Sequence, residues 1–233
     1  MPLIRAGEQA RELAAMLGER TAALPSAGNR RAPAGLNVTA GAGRWPGTQP
    51  AAWESSRPAS QFPADPLPAG QISSILSAAN ARQQRDWPAA AHGDAGLVIL
   101  LSALRVNELR PGMYAVWPPE FGAFTALADD ACFPDLTRQY ADAPALLHVC
   151  GDLDLACRSG GGSSYGALLV RAGALAQATW MTAVSAGLAG ACYGRASVRV
   201  TEVAQLAGPG LRHLLSVAIG TVPVTVPDLP GQE

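Results

Sequence analysis

From Ala172 to Cys192 the chain carries no charged side chain. A run of that length could cross a bilayer, but it consists mostly of Ala, Gly, Ser and Thr around Gln177, which is too polar for lipid. The run therefore predicts a buried central helix over Ala167 to Ala186, with Gly187 as its stop. Such a helix needs a core around it. The chain has 233 residues, 48% apolar, enough for one or two domains. Aromatics make up 6% of it, so the core must rest on Ala, Leu and Val. Charged residues make up 15%, too thin a coat for a solitary monomer, and a partner subunit is expected.

All 17 basic residues are arginine. The lack of lysine removes every mechanism that needs a Schiff-base amine, a P-loop lysine or a lysine base. A net charge of −1 without a basic cluster excludes nucleic acid and an anionic membrane surface as partners. Cys132, Cys150, Cys157 and Cys192 form no C-x-x-C pair, and His92, His148 and His213 are scattered, so no metal site is expected. The cysteines read as small core residues, with reduced thiols and a cytoplasmic location, because no charged-then-apolar leader opens the chain. Neither Cys157 nor Cys192 is expected to be a catalytic nucleophile, since no partner that would lower its pKa is identifiable.

Residues Pro2 to Gly18 have the pattern of a short surface helix, and 25 to 70 that of a Pro/Gly-rich arm. The sequon Asn37-Val38-Thr39 has no role in a cytoplasmic chain. Gln71, Ile72, Ile75, Leu76 and Ala79 predict a helix closing at Asn80. Leu97 to Leu101, Met113 to Trp117, Ala145 to Cys150 and Leu214 to Ile219 predict strands, and Thr201 to Leu206 a short helix. Thr221 to Pro230 carries proline too often for a lone helix or a central strand and must lie extended along a partner surface. The order implies an α+β fold with one mixed sheet.

Three patterns bear on chemistry. Gly162-Ser163-Ser164-Tyr165-Gly166 is formally G-x-S-x-G, and Glu202 and His213 follow in triad order, but Asp152 to Gly161 intervene after the strand where an elbow serine requires none. The plainer reading is a flexible Ser159 to Ser164 loop whose Ser164 caps the long helix, with His213 at a strand edge. Asp129, Asp130, Asp135, Asp142, Asp152 and Asp154 match no calcium loop and read as turn formers. Gly187 to Gly194 is a small-residue turn whose backbone N–H groups could approach a phosphate or a flavin.

Leu109-Arg110-Pro111-Gly112-Met113-Tyr114, Tyr140 to Leu147, Leu169 to Gln177 and Gly187-Leu188 follow one another in an order and spacing that resemble the nitroreductase superfamily, above all its branch of SagB- or McbC-type azoline dehydrogenases. Arg57, Phe62 and Pro66-Leu67 resemble the family's leading segment, so the likeness spans Arg57 to Pro223. It divides the chain into an N-terminal helix and arm over 1–56, a nitroreductase-like domain over 57–223 and an extended tail over 224–233. It implies a mixed sheet packed with helices, FMN at the interface of an obligate dimer, and a tail that wraps the partner. The implied reaction oxidises a thiazoline or oxazoline in a ribosomally made peptide to the aromatic ring. The dimer would be formed with a second copy or with a different nitroreductase-like subunit.

The resemblance points to Arg57, Ser60, Gln177, Ala191, Cys192 and Arg195 as FMN contacts. It points to His92, with Tyr165 second, as the base; a histidine titrates in a useful range, whereas a phenol ordinarily ionises at about 10. The sequence also departs from the pattern. The leading segment is Arg57-Pro58-Ala59-Ser60-Gln61-Phe62, one arginine short. Ser159, Gly160 and Gly166 stand where the branch has lysine, tyrosine and arginine, Thr221 stands where a basic residue often meets the phosphate, and Pro88-Ala89-Ala90-Ala91 replaces a proline, serine, alanine, glycine pattern. Arg171 or Arg195 would have to substitute for the lost cations. These departures leave a second expectation open: a flavin-poor or flavin-free partner subunit of a peptide-modifying complex.

Overall fold

A computed structural model describes residues 36–37, 61–92, 94–117, 121–160 and 163–222. The surface-helix reading of Pro2 to Gly18, Arg57, Ser60 and the tail beyond Val222 lie outside them. Central strands β3 (Leu97–Ala103) and β7 (Ala145–Asp152) pair antiparallel, with Leu100 opposite His148. β9 (Leu211–Gly220) flanks β7, and β8 (Ala189–Tyr193) forms the edge beyond it. On the other side follow β5 (Gly112–Val116), β6 (Ala123–Ala128) and the two-residue β1 (Leu36–Asn37). All pairs in this 7-stranded sheet are antiparallel; parallel pairing is confined to β2 (Leu67–Pro68) with β4 (Val106–Asn107).

Alternation along the strands gives the sheet two faces. Ile99, Leu101, Leu147, Val149 and Val217 meet α1 (Ala69–Asp86) and α5 (Ser163–Ser185). Val98, Leu100, Leu146, Cys150 and Leu211 meet α3 (Phe133–Gln139) and α6 (Val198–Ala207). The α+β architecture is the one read from the sequence, but the single mixed sheet expected is instead an antiparallel sheet with a separate two-stranded parallel pair, because its successive strands β3, β5 and β6 are joined by turns too short for a crossover.

Several boundaries differ from the sequence reading. α1 runs past Asn80 because Ala81 to Asp86 offers no helix breaker before Pro88. The long helix starts at Ser163, so Ser164 sits in its first turn and does not cap it from outside. It is also not buried all round: Tyr165, Leu169 and Val170 are 47%, 40% and 57% exposed, while Ala172, Leu175 and Ala183 face the core. Gly187 does end it, with φ +78° and the paired bonds Gly187 N to Val184 O and Leu188 N to Ala183 O that close a left-handed cap. The flexible loop expected over Ser159 to Ser164 is helical at both ends: Ser159 and Gly160 close α4 (Leu153–Gly160), whose Leu155 N donates to Asp152 Oδ1, and Ser163 and Ser164 open α5. The Gly187 to Gly194 turn is strand β8, and the last helix extends to Val198–Ala207 with Ser197 as its N-cap.

Candidate functional site

Two ends of the sheet bear on function. At one, between α1, α5 and the start of β3, lies a cavity of about 180 Å³. Leu97, Ile99, Val116 and Leu175 form its apolar floor; Gln83, Trp87 and Arg171 line its wall. Arg171 is 9% exposed, and its Nη1 donates to the His92 carbonyl at 3.3 Å. The exposed His92 ring sits edge-on to Trp87 with centroids 5.3 Å apart. The short helix α2 (Ala89–His92) thus sets the expected base against two residues of the cavity wall, Trp87 and Arg171.

The other end is the corner where β9 stops. A side chain at Gly220 would strike Phe62 and Pro144 at 2.8 Å, so the absence of one lets the leading segment pack against the strand. Next to it the Thr221 hydroxyl is buried with no hydrogen-bond partner. Ala189 pairs with Gly220, which brings the Gly187 turn alongside, with open space where its Cβ would stand. A buried orphan hydroxyl beside open backbone fits a phosphate or the polar edge of a flavin. By that test the residues present fit FMN; Arg57 and Ser60 lie outside the described residues.

The remaining expected residues fall between these ends. Cys192 Sγ lies 4.0 Å from the carbonyl of Ala176, so β8 meets α5 there; Ala191 is buried and alternates to the other face of the sheet, and Gln177, next to Ala176, is exposed. Desolvation pushes the Cys192 thiol up to about 11, which works against a thiolate there. Gly190 is explained by packing, since a Cβ there would meet the Trp180 ring at 2.5 Å. Arg195 is exposed, and its carbonyl accepts from Tyr140 Oη at 2.9 Å. Tyr165 stands exposed in the first turn of α5. From Ala145 to Gly151, β7 separates the two ends by roughly 20 Å at about 3.3 Å per residue. Within one chain His92 does not meet Thr221.

The serine triad does not assemble. α4 lies between β7 and Ser164, Glu202 is exposed and pairs with Arg199, and His213 is a core residue, 3% exposed. The aspartates act locally: Asp142 and Asp135 pair with Arg105 and Arg138, and Asp129 Oδ1 accepts from Ala131 N. Among the described residues no group of His, Cys, Asp and Glu could hold a metal.

A polar cluster escaped the sequence reading. Ser102 Oγ lies 2.9 Å from His148 Nε2, and His148 Nδ1 lies 2.8 Å from Ser216 Oγ. Ser216 Oγ also lies 2.9 Å from His213 Nε2, and Ser197 N donates to His213 Nδ1 at 2.8 Å. Burial holds His148 well below the usual histidine range, aided by the neighbouring His213, and burial lowers His213 to about 4 against the Leu215 carbonyl that favours its charge. Both rings are therefore neutral near pH 7. The available signal was His148 itself, a lone polar residue in an apolar strand whose register places Ser102 and Ser216 alongside.

No protein-family model and no curated protein matches the chain by sequence. Solved structures do match in fold. A protein assigned as a nitroreductase from Ralstonia eutropha superposes with a TM-score of 0.61 at 19% identity, over 85% of this chain and 93% of that one. The E. coli microcin synthetase McbBCD complex, with truncated pro-MccB17 bound, gives 0.59 at 16% over 88% and 80%. A protein assigned as a nitroreductase from Anabaena variabilis gives 0.58 at 16% over 73% of this chain, which spans only 37% of that protein. At these identities the likeness establishes a nitroreductase-like fold.

Proposed function

We propose that the chain is an FMN-dependent oxidoreductase of nitroreductase type that dehydrogenates azoline rings in a ribosomally made peptide, acting as a homodimer or with a second nitroreductase-like subunit. The observation that carries this reading is the corner at the end of β9, where Phe62, the Gly187 turn and the orphan Thr221 hydroxyl converge. The likeness to a peptide-modifying synthetase supports the substrate class.

In this reading Arg57, Ser60 and Thr221 hold the FMN phosphate, each charged hydrogen bond contributing about 1.5–3 kcal/mol. Gln177, Arg195 and the backbone of Ala191 and Cys192 flank the ring system. Bound FMN supplies a hydride acceptor for the azoline ring carbon. His92 takes the proton from the neighbouring ring atom, with Tyr165 as the second candidate. Because His92 stands at the far end of the sheet from Thr221, a second subunit supplies it to each flavin corner, and the exposed Tyr165, Leu169 and Val170 face of α5 is the surface that subunit covers.

The runner-up is a flavin-free partner subunit, favoured by Thr221 standing where a cation would neutralise the phosphate. The absorption spectrum of freshly purified protein separates the two. A flavin band near one equivalent, lowered by Arg57→Ala, with azoline oxidation lowered in turn by His92→Ala, is the expected result. Colourless protein that stimulates a second nitroreductase-like subunit would replace it with the runner-up.

A further inference from the structure

We propose that His213 is an acid-released latch: its unprotonated Nδ1 holds the segment from Arg195 to Ser197 and the start of α6 against the sheet, and a proton on that nitrogen lets them go. The two ring nitrogens face opposite partners. Nδ1 faces a donor, the Ser197 N–H at 2.8 Å. Nε2 lies 2.9 Å from the Leu215 carbonyl, an obligate acceptor, and so carries the ring hydrogen. A second proton can enter only at Nδ1, where it would set N–H against N–H inside the core.

The contact is a clamp and not a single bond. The His213 backbone N–H donates to Thr201 Oγ1 at 3.1 Å, one turn into α6, while Ser197 is that helix's N-cap. Away from His213, the segment is held by Tyr140 Oη on the Arg195 carbonyl and Gln139 Nε2 on the Ala196 carbonyl, and α6 by Val200 and Ala204 in the core. Loss of the clamp would therefore free this segment before the central strands.

The groups around His213 leave it as the element that responds between pH 7 and 5. From β7 it meets His148, with ring centroids 5.1 Å apart, and its cross-strand neighbour Cys150, whose thiol burial raises. From the loop after α3 it meets Tyr140, which itself touches Tyr193 of β8, and burial raises both phenols. On α6, Arg199 and Glu202 pair with each other at the surface, Arg195 is exposed, and Arg212 beside His213 bonds the Pro209 and Leu211 carbonyls. Among the described groups in hydrogen-bond or ring contact with His213 there is no carboxylate to hold a charged ring in place. His148 is sealed more completely, at 0% exposure against 3%, so the first proton goes to His213.

Peptide-resolved hydrogen exchange on the full chain at pH 7 and pH 5, corrected for the intrinsic pH dependence of exchange, tests the latch without any flavin. With His213 lowered to about 4 when clamped and at the ordinary 6.5 when released, opening of 195–207 should rise roughly twentyfold. β3 and β7 should stay protected. In His213→Asn, whose Oδ1 stands where Nδ1 does and cannot titrate, the rise should vanish. Should that variant fail to fold, imidazole nitrogen NMR of the wild-type chain decides. His213 should show Nδ1 unprotonated at pH 7 and gain its proton in step with the exchange of α6. Unchanged exchange, a loss of protection shared equally by β3 and β7, a persisting rise in His213→Asn, or an Nδ1–H tautomer at pH 7 would each overturn the proposal.

Discussion

Leu147 and His148 are neighbours on β7, both essentially without solvent exposure, and they point to opposite faces of one sheet. Leu147 joins Ile72, Ile75 and Leu76 of α1 and Leu175 of α5 in a core held by apolar area. His148 joins Ser102, Ser216 and His213 under α6, where burial is favourable only while every donor has its acceptor. Equal burial thus conceals different conditions for stability. The first face responds to volume and not to pH; the second responds to protons.

The largest expected effect breaks the first face. Leu147→Ala removes a side chain 1% exposed in a close-packed layer and should cost about 2–5 kcal/mol, the spread reflecting how far α1 and α5 can settle into the gap. Denaturant midpoints at pH 7 and pH 5 should fall by the same amount. A cost that doubles at one pH would mean that the faces are coupled through β7.

Acid acts on the second face. A histidine whose folded value lies below its unfolded value binds its proton more readily in the unfolded chain, so stability is complete above about 6.5 and is lost as pH falls toward 4. For His213 alone the loss is roughly 3 kcal/mol across that window, and the more strongly lowered His148 adds to it in the same direction. Urea titrations at half-unit steps between pH 7 and 4 should show the fall, and His213→Asn should flatten most of it. A profile flat to pH 4.5 in the wild type would show that both rings accept protons without loss of their partners.

This contrast also explains what could be read from the residues. The first face was legible because Ile72, Ile75, Leu76 and Ala79 repeat at helical spacing and Leu97 to Leu101 is an unbroken apolar run, signals carried by neighbours in sequence. The second face was not, because Ser102, His148, His213 and Ser216 become a cluster only through cross-strand register, and the offset between Val149 and Cys150 shifts that register midway. β6 and α3 were missed for a related reason: Ala123 to Ala128 and Phe133 to Gln139 are short and weakly periodic. The candidate site was half legible. Phe62 and Thr221 could be ordered along the chain, but that His92 and Thr221 stand at opposite ends of the sheet follows only from the direction of the strands.

The smallest effect sharpens the comparison most, because it separates the cap of α6 from the latch. Ser197 Oγ accepts from Val200 N at 3.5 Å, a long bond at the helix start, whereas the Ser197 main-chain N–H donates to His213. Ser197→Ala removes the first and keeps the second. Loss of an N-cap hydroxyl costs about 1 kcal/mol, and at 3.5 Å the value should sit in the lower half of the usual range. The residue is 6% exposed, so water cannot replace the hydroxyl fully. The variant should therefore lose a small, constant amount of stability from pH 7 to 5 while the acid-driven opening of 195–207 remains as steep as in the wild type. If Ser197→Ala instead abolished that pH dependence, the hydroxyl and not the imidazole would be what ties α6 to the sheet.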